Sequence, residues 1–214
     1  MPDHRKKEVV AIVPVKELAR AKSRLSKRLS PEQRAALSLN MLSGVVRAVM
    51  ASPSAVVRVV GGGAVVKKAA LDLGAEWNDD RGLDLNDALW HAFQVAHSSG
   101  LAPMYLAADL PFLEAAEVAE ALREFADGAC LVLSPARRDG GTNAIVAPSG
   151  SPFRPALGND SFQAHSAQAS ALTLPSRVCS SPGLGLDLDT VEDLDAFEVM
   201  EPGLLERLTR GGAS

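Results

Sequence analysis

Between Pro14 and Lys27 the chain carries five cations, Lys16, Arg20, Lys22, Arg24 and Lys27, directly after an apolar run from Val9 to Val15. Ammonium and guanidinium groups on one connection can neutralise a nucleoside triphosphate and stabilise a departing pyrophosphate. A solvated basic loop accounts for the same charges, and the spaced glycines of a Walker loop or Rossmann turn are absent. Carboxylates elsewhere offer the complementary chemistry. Asp109, in Ala107-Ala108-Asp109-Leu110-Pro111, stands where the apolar run Met104-Tyr105-Leu106 breaks. An acid at the carboxyl end of a strand can hold Mg2+ against phosphate oxygens, the plainer alternative being a turn or helix cap. In Leu186-Asp187-Leu188-Asp189-Thr190, extended backbone puts Asp187 and Asp189 on one side. One of them would bind metal and the other cap the helix that follows, and Asp187 with Asp109 would complete a metal clamp. Mg2+ usually takes only one or two protein carboxylates, with substrate oxygens filling the rest.

Two glycine-containing motifs add directed hydrogen bonding. Asp139-Gly140-Gly141-Thr142-Asn143 lets backbone N–H groups approach an anion beside a hydroxyl and an amide, or is simply a hairpin turn. Leu157-Gly158-Asn159-Asp160-Ser161 ends a loop from Pro148 to Asp160 and reads as a helix opening that favours anions. His91, His97 and His165 read as structural histidines, Trp77 and Trp90 as core or pocket wall, and Gly61-Gly62-Gly63 as a flexible turn.

These residues need a scaffold, and the chain alternates β-rich runs with amphipathic segments, the pattern of a layered α/β fold with a mainly parallel sheet. Strands are expected at Val9 to Val15, Ala55 to Val60, Pro103 to Ala108, Ala129 to Leu133 and Asn143 to Ala147. The clearest helix begins at Ser30-Pro31-Glu32-Gln33, a capping box with proline at the first helical position, and runs to about Met50. Leu37, Met41, Val45 and Val49 recur on its inner face. Further helices are expected at Ala64 to Leu73, Asn86 to His97, Glu114 to Ala126 and Thr190 to Met200, with a frayed tail after Thr209. At 214 residues, 47% hydrophobic and 22% charged, the chain fits a single domain over residues 1–214 and excludes wholesale disorder. A net charge of -4 argues against a general nucleic-acid binder, so any anionic ligand must be met locally. The two cysteines, Cys130 and Cys179, form neither metal spacing nor a disulfide framework, and a reducing cytoplasm fits them. The basic N-terminus, His4 to Lys7, precedes an apolar run too short for a signal segment or a membrane span.

Taken in order, the basic loop, Leu85-Asn86, Asp-Leu-Pro, Gly-Gly-Thr-Asn, Gly-Asn-Asp-Ser and Asp-Leu-Asp-Thr resemble the 2-phospho-L-lactate or phosphoenolpyruvate guanylyltransferase family of deazaflavin coenzyme biosynthesis, over nearly the whole length. The resemblance implies a three-layer α/β nucleotidyltransferase fold of the GT-A-like, nucleotide-diphospho-sugar transferase type. It implies transfer of GMP from GTP to a three-carbon phospho-acid with release of pyrophosphate. Lys16, Lys22 and Arg24 would meet the GTP phosphates and, with Asp109, carry the catalysis. Asn86 would line the guanosine pocket, and Asp109 and Asp187 would hold the Mg2+ cofactor. Thr142, Asn143, Gly158 and Ser161 would bind the acceptor, left open among 2-phospho-L-lactate, phosphoenolpyruvate and 3-phosphoglycerate. The partners implied are these small molecules, with no nucleic acid or membrane, and the oligomeric state is open to a homodimer. Two other readings fit the motifs less fully: a molybdenum-cofactor-type cytidylyl- or guanylyltransferase, which usually has a Gly-rich first loop, and a non-catalytic nucleotide-binding module.

Overall fold

The computed structural model describes residues 8–52, 55–80, 84–125 and 128–210. The N-terminal residues His4 to Lys7, the helix end expected at Ala126 and the tail 211–214 lie outside them. Strands β1 (Val9–Val15), β2 (Ala55–Gly61), β3 (Glu76–Asn78), β4 (Ala102–Leu106), β5 (Leu131–Pro135), β6 (Thr142–Val146) and β7 (Ser176–Val178) form one sheet in the order β3-β2-β1-β4-β6-β5-β7. All neighbours pair in parallel except β6, which runs antiparallel to both β4 and β5. The sheet is therefore mixed and mainly parallel, as expected.

Val9, Val10, Ala11, Ile12 and Val13 are all buried, so β1 is covered on both faces, the arrangement a parallel sheet requires. The β1–β2 connection runs through α1 (Pro31–Met50) and the β2–β3 connection through α2 (Gly63–Asp72), both moving toward one edge of the sheet. The β3–β4 connection through α3 (Leu85–Ser98) moves the other way. Right-handed crossovers then place α3 on the face opposite α1 and α2. The strand order reverses between β1 and β4, and in open α/β sheets ligands bind outside the strand ends at such a point.

In α1 the Ser30 side chain accepts from the Gln33 N–H and the Gln33 side chain accepts from the Ser30 N–H, so the capping box forms as read. Its inner face, including Leu37, Met41, Val45 and Val49, is fully buried. The remaining helices are α4 (Ala115–Glu124), α5 (Ser161–Ala171), α6 (Pro182–Gly185), α7 (Val191–Met200) and α8 (Leu204–Thr209). No described helix is long and apolar enough to cross a membrane. Strands β3 and β7 and helices α6 and α8 were not expected. Both strands are three-residue sheet edges, too short for alternation to register.

Candidate active site

The connection leaving β1 forms two 3-10 turns, Leu18–Arg20 and Ser23–Leu25, with Lys22 between them in the left-handed region at φ 50°, ψ 41°. That conformation is unusual for a long side chain and is held from outside. Arg34 of α1 donates from Nη1 to the Ala21 carbonyl at 3.1 Å. Thus fixed, Lys22 places Nζ 2.6 Å from Asp109 Oδ2 and 3.7 Å from Asp189 Oδ1, with its side chain 9% exposed. Arg24 reaches Asp189 Oδ2 at 2.5 Å but is 64% exposed. Lys16 and Arg20 are exposed, make no ion pair among the described residues, and line the same cavity of about 410 Å3 as Lys22, Arg24, Asp109 and Asp189. Lys27, the fifth cation, is not part of this lining.

The Leu188 N–H donates to the Asp109 carbonyl at 3.0 Å, so the exit of β4 runs beside the Asp187–Asp189 segment. Asn143 Nδ2 donates to Asp187 Oδ1 at 3.1 Å and to the Leu184 carbonyl at 2.9 Å, which fixes the orientation of that carboxylate. Burial raises the Asp187 pKa above the usual carboxylate range, the negative charges of Asp109 and Asp139 add to the rise, and the Asn143 hydrogen bond opposes it. Tyr105 on β4 lines the cavity, and its phenol is raised by burial and then by Asp109 and Asp187. Two carboxylates from distant parts of the chain therefore share one corner with a buried phenol.

Asp189 has a different environment, facing Lys22, Arg24 and Arg138, the last at 3.7 Å. Neither aspartate caps α7. Thr190 is the cap and accepts from the Asp193 N–H at 3.2 Å, while Asp193 Oδ2 accepts from Thr190 N at 2.7 Å and Asp189 N at 3.0 Å. Threonine competes well for a cap position because its hydroxyl reaches back to the N3 amide.

The segment Asp139-Gly140-Gly141 is the turn of the antiparallel β5–β6 hairpin, the plainer of its two readings. Asp139 Oδ1 accepts from Gly141 N at 2.9 Å, and Phe162 N donates to the Gly140 carbonyl at 3.0 Å, joining the turn to the start of α5. Ser161 Oγ donates to Thr142 Oγ1 at 3.1 Å and Ser161 N to the Gly158 carbonyl at 3.2 Å. Thr142, Gly158 and Ser161 thus come together. Asn143, the next strand residue, turns instead toward Asp187, as alternation along β6 demands.

The loop before Ser161 is pinned rather than free. Asn86, at the start of α3, donates from Nδ2 to the Leu157 carbonyl at 3.1 Å and accepts from Leu157 N at 2.7 Å. Its neighbour Leu85 lines the cavity and Asn86 does not. Arg154 is held from two sides, its backbone by the Gln168 amide and its guanidinium by Asp87 and the Trp90 ring.

Sequence reasoning did not single out Tyr105, Arg34 or Arg138. Tyr105 sat inside an apolar run, and its being the chain's one tyrosine was the available signal. The two arginines act through tertiary contacts that no local spacing announces.

Among the described residues no cluster of three or more His, Cys, Asp or Glu side chains is arranged to hold a metal ion. The pair Asp109 and Asp187 still offers two hard oxygen donors whose mutual repulsion a cation would relieve. A donor set of that size suits Mg2+, which fills its remaining positions with water and phosphate oxygens.

Comparison with known proteins gives the family and the fold. Residues 9–203 match the family described as guanylyl transferase CofC like. The phosphoenolpyruvate guanylyltransferase of Rubrobacter xylanophilus is 40% identical over 89% of this chain and 93% of its own. The 2-phospho-L-lactate guanylyltransferase of Methanothermobacter thermautotrophicus is 33% identical over 86% of this chain and 81% of its own. In fold, a crystal structure from Desulfovibrio desulfuricans G20, assigned as a nucleotide-diphospho-sugar transferase, superposes with a TM-score of 0.76 at 20% identity, covering 92% of this chain and 88% of that one. With a mainly parallel sheet whose strand order reverses beside a cavity lined by Lys16, Lys22, Asp109 and Asp189, and with these likenesses, the chain belongs to the CofC-like guanylyl transferase family and is a nucleotidyltransferase.

Proposed function

We propose that the protein transfers GMP from GTP to the phosphate of a three-carbon phospho-acid, phosphoenolpyruvate foremost, and releases pyrophosphate in deazaflavin coenzyme biosynthesis. The observation that carries the reading is the convergence of Asp109 and Asp187 on one corner, with Lys22 of the basic loop 2.6 Å from Asp109. The choice of phosphoenolpyruvate over 2-phospho-L-lactate is supported by the higher identity to the relative named for that acid. GTP and the acid are the partners in this reading. A sequence with only two cysteines, without metal spacing or a disulfide framework, supports a reducing, cytoplasmic setting.

A phosphate oxygen of the acceptor attacks the α-phosphorus of GTP in line, forming one P–O bond as the bond to the pyrophosphate oxygen breaks. A phosphate dianion is already nucleophilic near neutral pH, so no general base is needed, and catalysis reduces to positioning and charge stabilisation. Lys16, Lys22 and Arg24 hold the triphosphate and take up the charge that grows on the departing pyrophosphate. Thr142, Gly158 and Ser161 hold the acceptor, while Asn143 keeps Asp187 in register. Asp109 and Asp187 would hold Mg2+, which when bound supplies charge neutralisation at the phosphate oxygens.

The test is an incubation with GTP, ATP or CTP, Mg2+ and each of phosphoenolpyruvate, 2-phospho-L-lactate and 3-phosphoglycerate, followed by pyrophosphate measurement. Release is expected with GTP and phosphoenolpyruvate, and Asp109→Asn should cut it by roughly 100-fold or more while the protein stays folded. Release that depends on CTP, or a folded Asp109→Asn enzyme of near-normal rate, would reject the reading.

A further inference from the structure

His165 is fully buried in α5 and makes two hydrogen bonds, one to Thr142 of the proposed acceptor site and one to the loop before Gly158. Its Nε2 lies 2.9 Å from the Ala156 backbone nitrogen, and its Nδ1 lies 2.9 Å from Thr142 Oγ1. A backbone N–H can only donate, so Nε2 must be the bare nitrogen. Burial pulls the imidazole pKa down to about 4, and the neutral ring therefore carries its one proton on Nδ1. Phe153 packs against the ring at 5.5 Å between centroids and helps hold its plane.

The consequence falls on Thr142. Its Oγ1 accepts from His165 Nδ1 and stands 3.1 Å from Ser161 Oγ. If Ser161 donates to Thr142, the Thr142 proton is left over. If Thr142 donates to Ser161, the Ser161 proton is left over. Either way the pair keeps one hydroxyl proton with no acceptor inside the network, and an anionic ligand is what such a donor seeks. Were the tautomer reversed, Nδ1 would accept from Thr142 and consume a proton that the acceptor needs.

We propose that His165 is a positioning residue of the acceptor site. Oriented by the Ala156 N–H, it fixes the Thr142–Ser161 hydroxyl pair as a donor to the anionic oxygens of the phospho-acid. The inference rests on the reading that Thr142 and Ser161 hold that substrate. It also links the loop to the substrate, because Ala156 is two residues before Gly158.

Asparagine places its amide near the position of Nδ1, and glutamine places its amide near that of Nε2, so the two bonds can be separated. His165→Asn should keep the Thr142 contact, and His165→Gln should keep only the Ala156 contact. Steady-state kinetics with phosphoenolpyruvate are expected to show KM for the acid raised roughly 10- to 100-fold in His165→Gln, the worth of one hydrogen bond to a charged group. KM for GTP should stay within about twofold and His165→Asn should recover most of the loss, on the same hydrogen-bond accounting. Equal damage to both KM values, or a normal acid KM in His165→Gln while Thr142→Val is impaired, overturns the proposal alone. A normal acid KM in Thr142→Val overturns the acceptor reading as well. Nitrogen-15 NMR of the wild-type imidazole needs no variant to fold: a proton on Nδ1 is expected, and a proton on Nε2 refutes the idea.

Discussion

At the scale of single residues, the site works by giving each charge a different neighbourhood. Asp189 is surrounded by Lys22, Arg24 and Arg138, whereas Asp187 has an amide and another acid. Two aspartates two positions apart thereby acquire different chemistry: Asp189 is ion-paired, and Asp187 makes no ion pair among the described residues. Asn143 is the device that aims it. Removing the amide in Asn143→Ala should lower kcat by roughly 10- to 100-fold, the usual effect of losing a partner that orients a metal-binding group. The apparent Mg2+ requirement should rise and KM for GTP should stay put, because the Asn143 side chain bonds Asp187 and the Leu184 carbonyl and not the basic loop. A Mg2+ titration of initial rates checks this, and an unchanged Mg2+ midpoint would show that Asp187 is oriented by something else. Lys22 illustrates the opposite economy, since its αL backbone is tolerated for a short contact to Asp109 that an extended loop would not make.

At the scale of elements, what could be read in advance depended on length and repetition. Helix α1 was legible because twenty residues carry both a capping box and a four-residue apolar repeat. Strand β1 was legible as a valine- and isoleucine-rich apolar run, the mark of a strand buried on both faces, and β2 as valine pairs on either side of Arg58. The loop from Pro148 to Asp160 was read only as a loop, because its restraints come from α3 and α5. His97 Nδ1 accepts from Gly150 N at 3.0 Å, His165 Nε2 from Ala156 N, and Asn86 clamps Leu157. Both histidine pKa values are lowered by burial, so the unfolded chain binds protons more readily than the folded one as pH falls below about 6.5. Stability from these groups is then fully present above that pH and is lost progressively as pH drops toward about 4, the value for His165. Thermal melts should show Tm falling across that window, with a shallower fall in His165→Asn. Identical slopes would mean that carboxylates elsewhere govern the acid limb. Helix α6 gives a second check on element packing. A Cβ on Gly183 would lie 2.6 Å from the Phe112 carbonyl and would collide with Glu117, which already accepts from Gly183 N at 2.7 Å. Gly183→Ala should cost about 1–3 kcal/mol in denaturant unfolding. It should also slow catalysis, because α6 carries the Leu184 carbonyl that seats Asn143.

At the scale of the whole molecule, the sheet brings together parts of the chain that are far apart in sequence, and the substrate site lies where they meet. Lys22 and Asp109 are 87 residues apart and Asn143 and Asp187 are 44 apart, so their contacts exist only because β1, β4 and β6 are successive neighbours in the sheet. This is why the motifs were legible one by one while their pairing was not: nothing in Leu85-Asn86 announced that Asn86 holds the loop at Leu157. The same convergence costs stability, since two acids are gathered at the corner and the half-buried Asp187 has an amide partner but no ion pair among the described residues. Asp187→Asn removes one charge and keeps an oxygen for Asn143, so the substrate-free variant should melt higher than wild type. Relief of about 1 kcal/mol corresponds to roughly 2–4 °C in a chain of this size. The wild type should in turn gain Tm when Mg2+ and GTP are added together, and the variant should gain much less, because ligand binding stabilises the folded state only through the site it occupies. A substrate-free variant that melts lower than wild type would identify Asp187 as a structural carboxylate and remove the metal role with it.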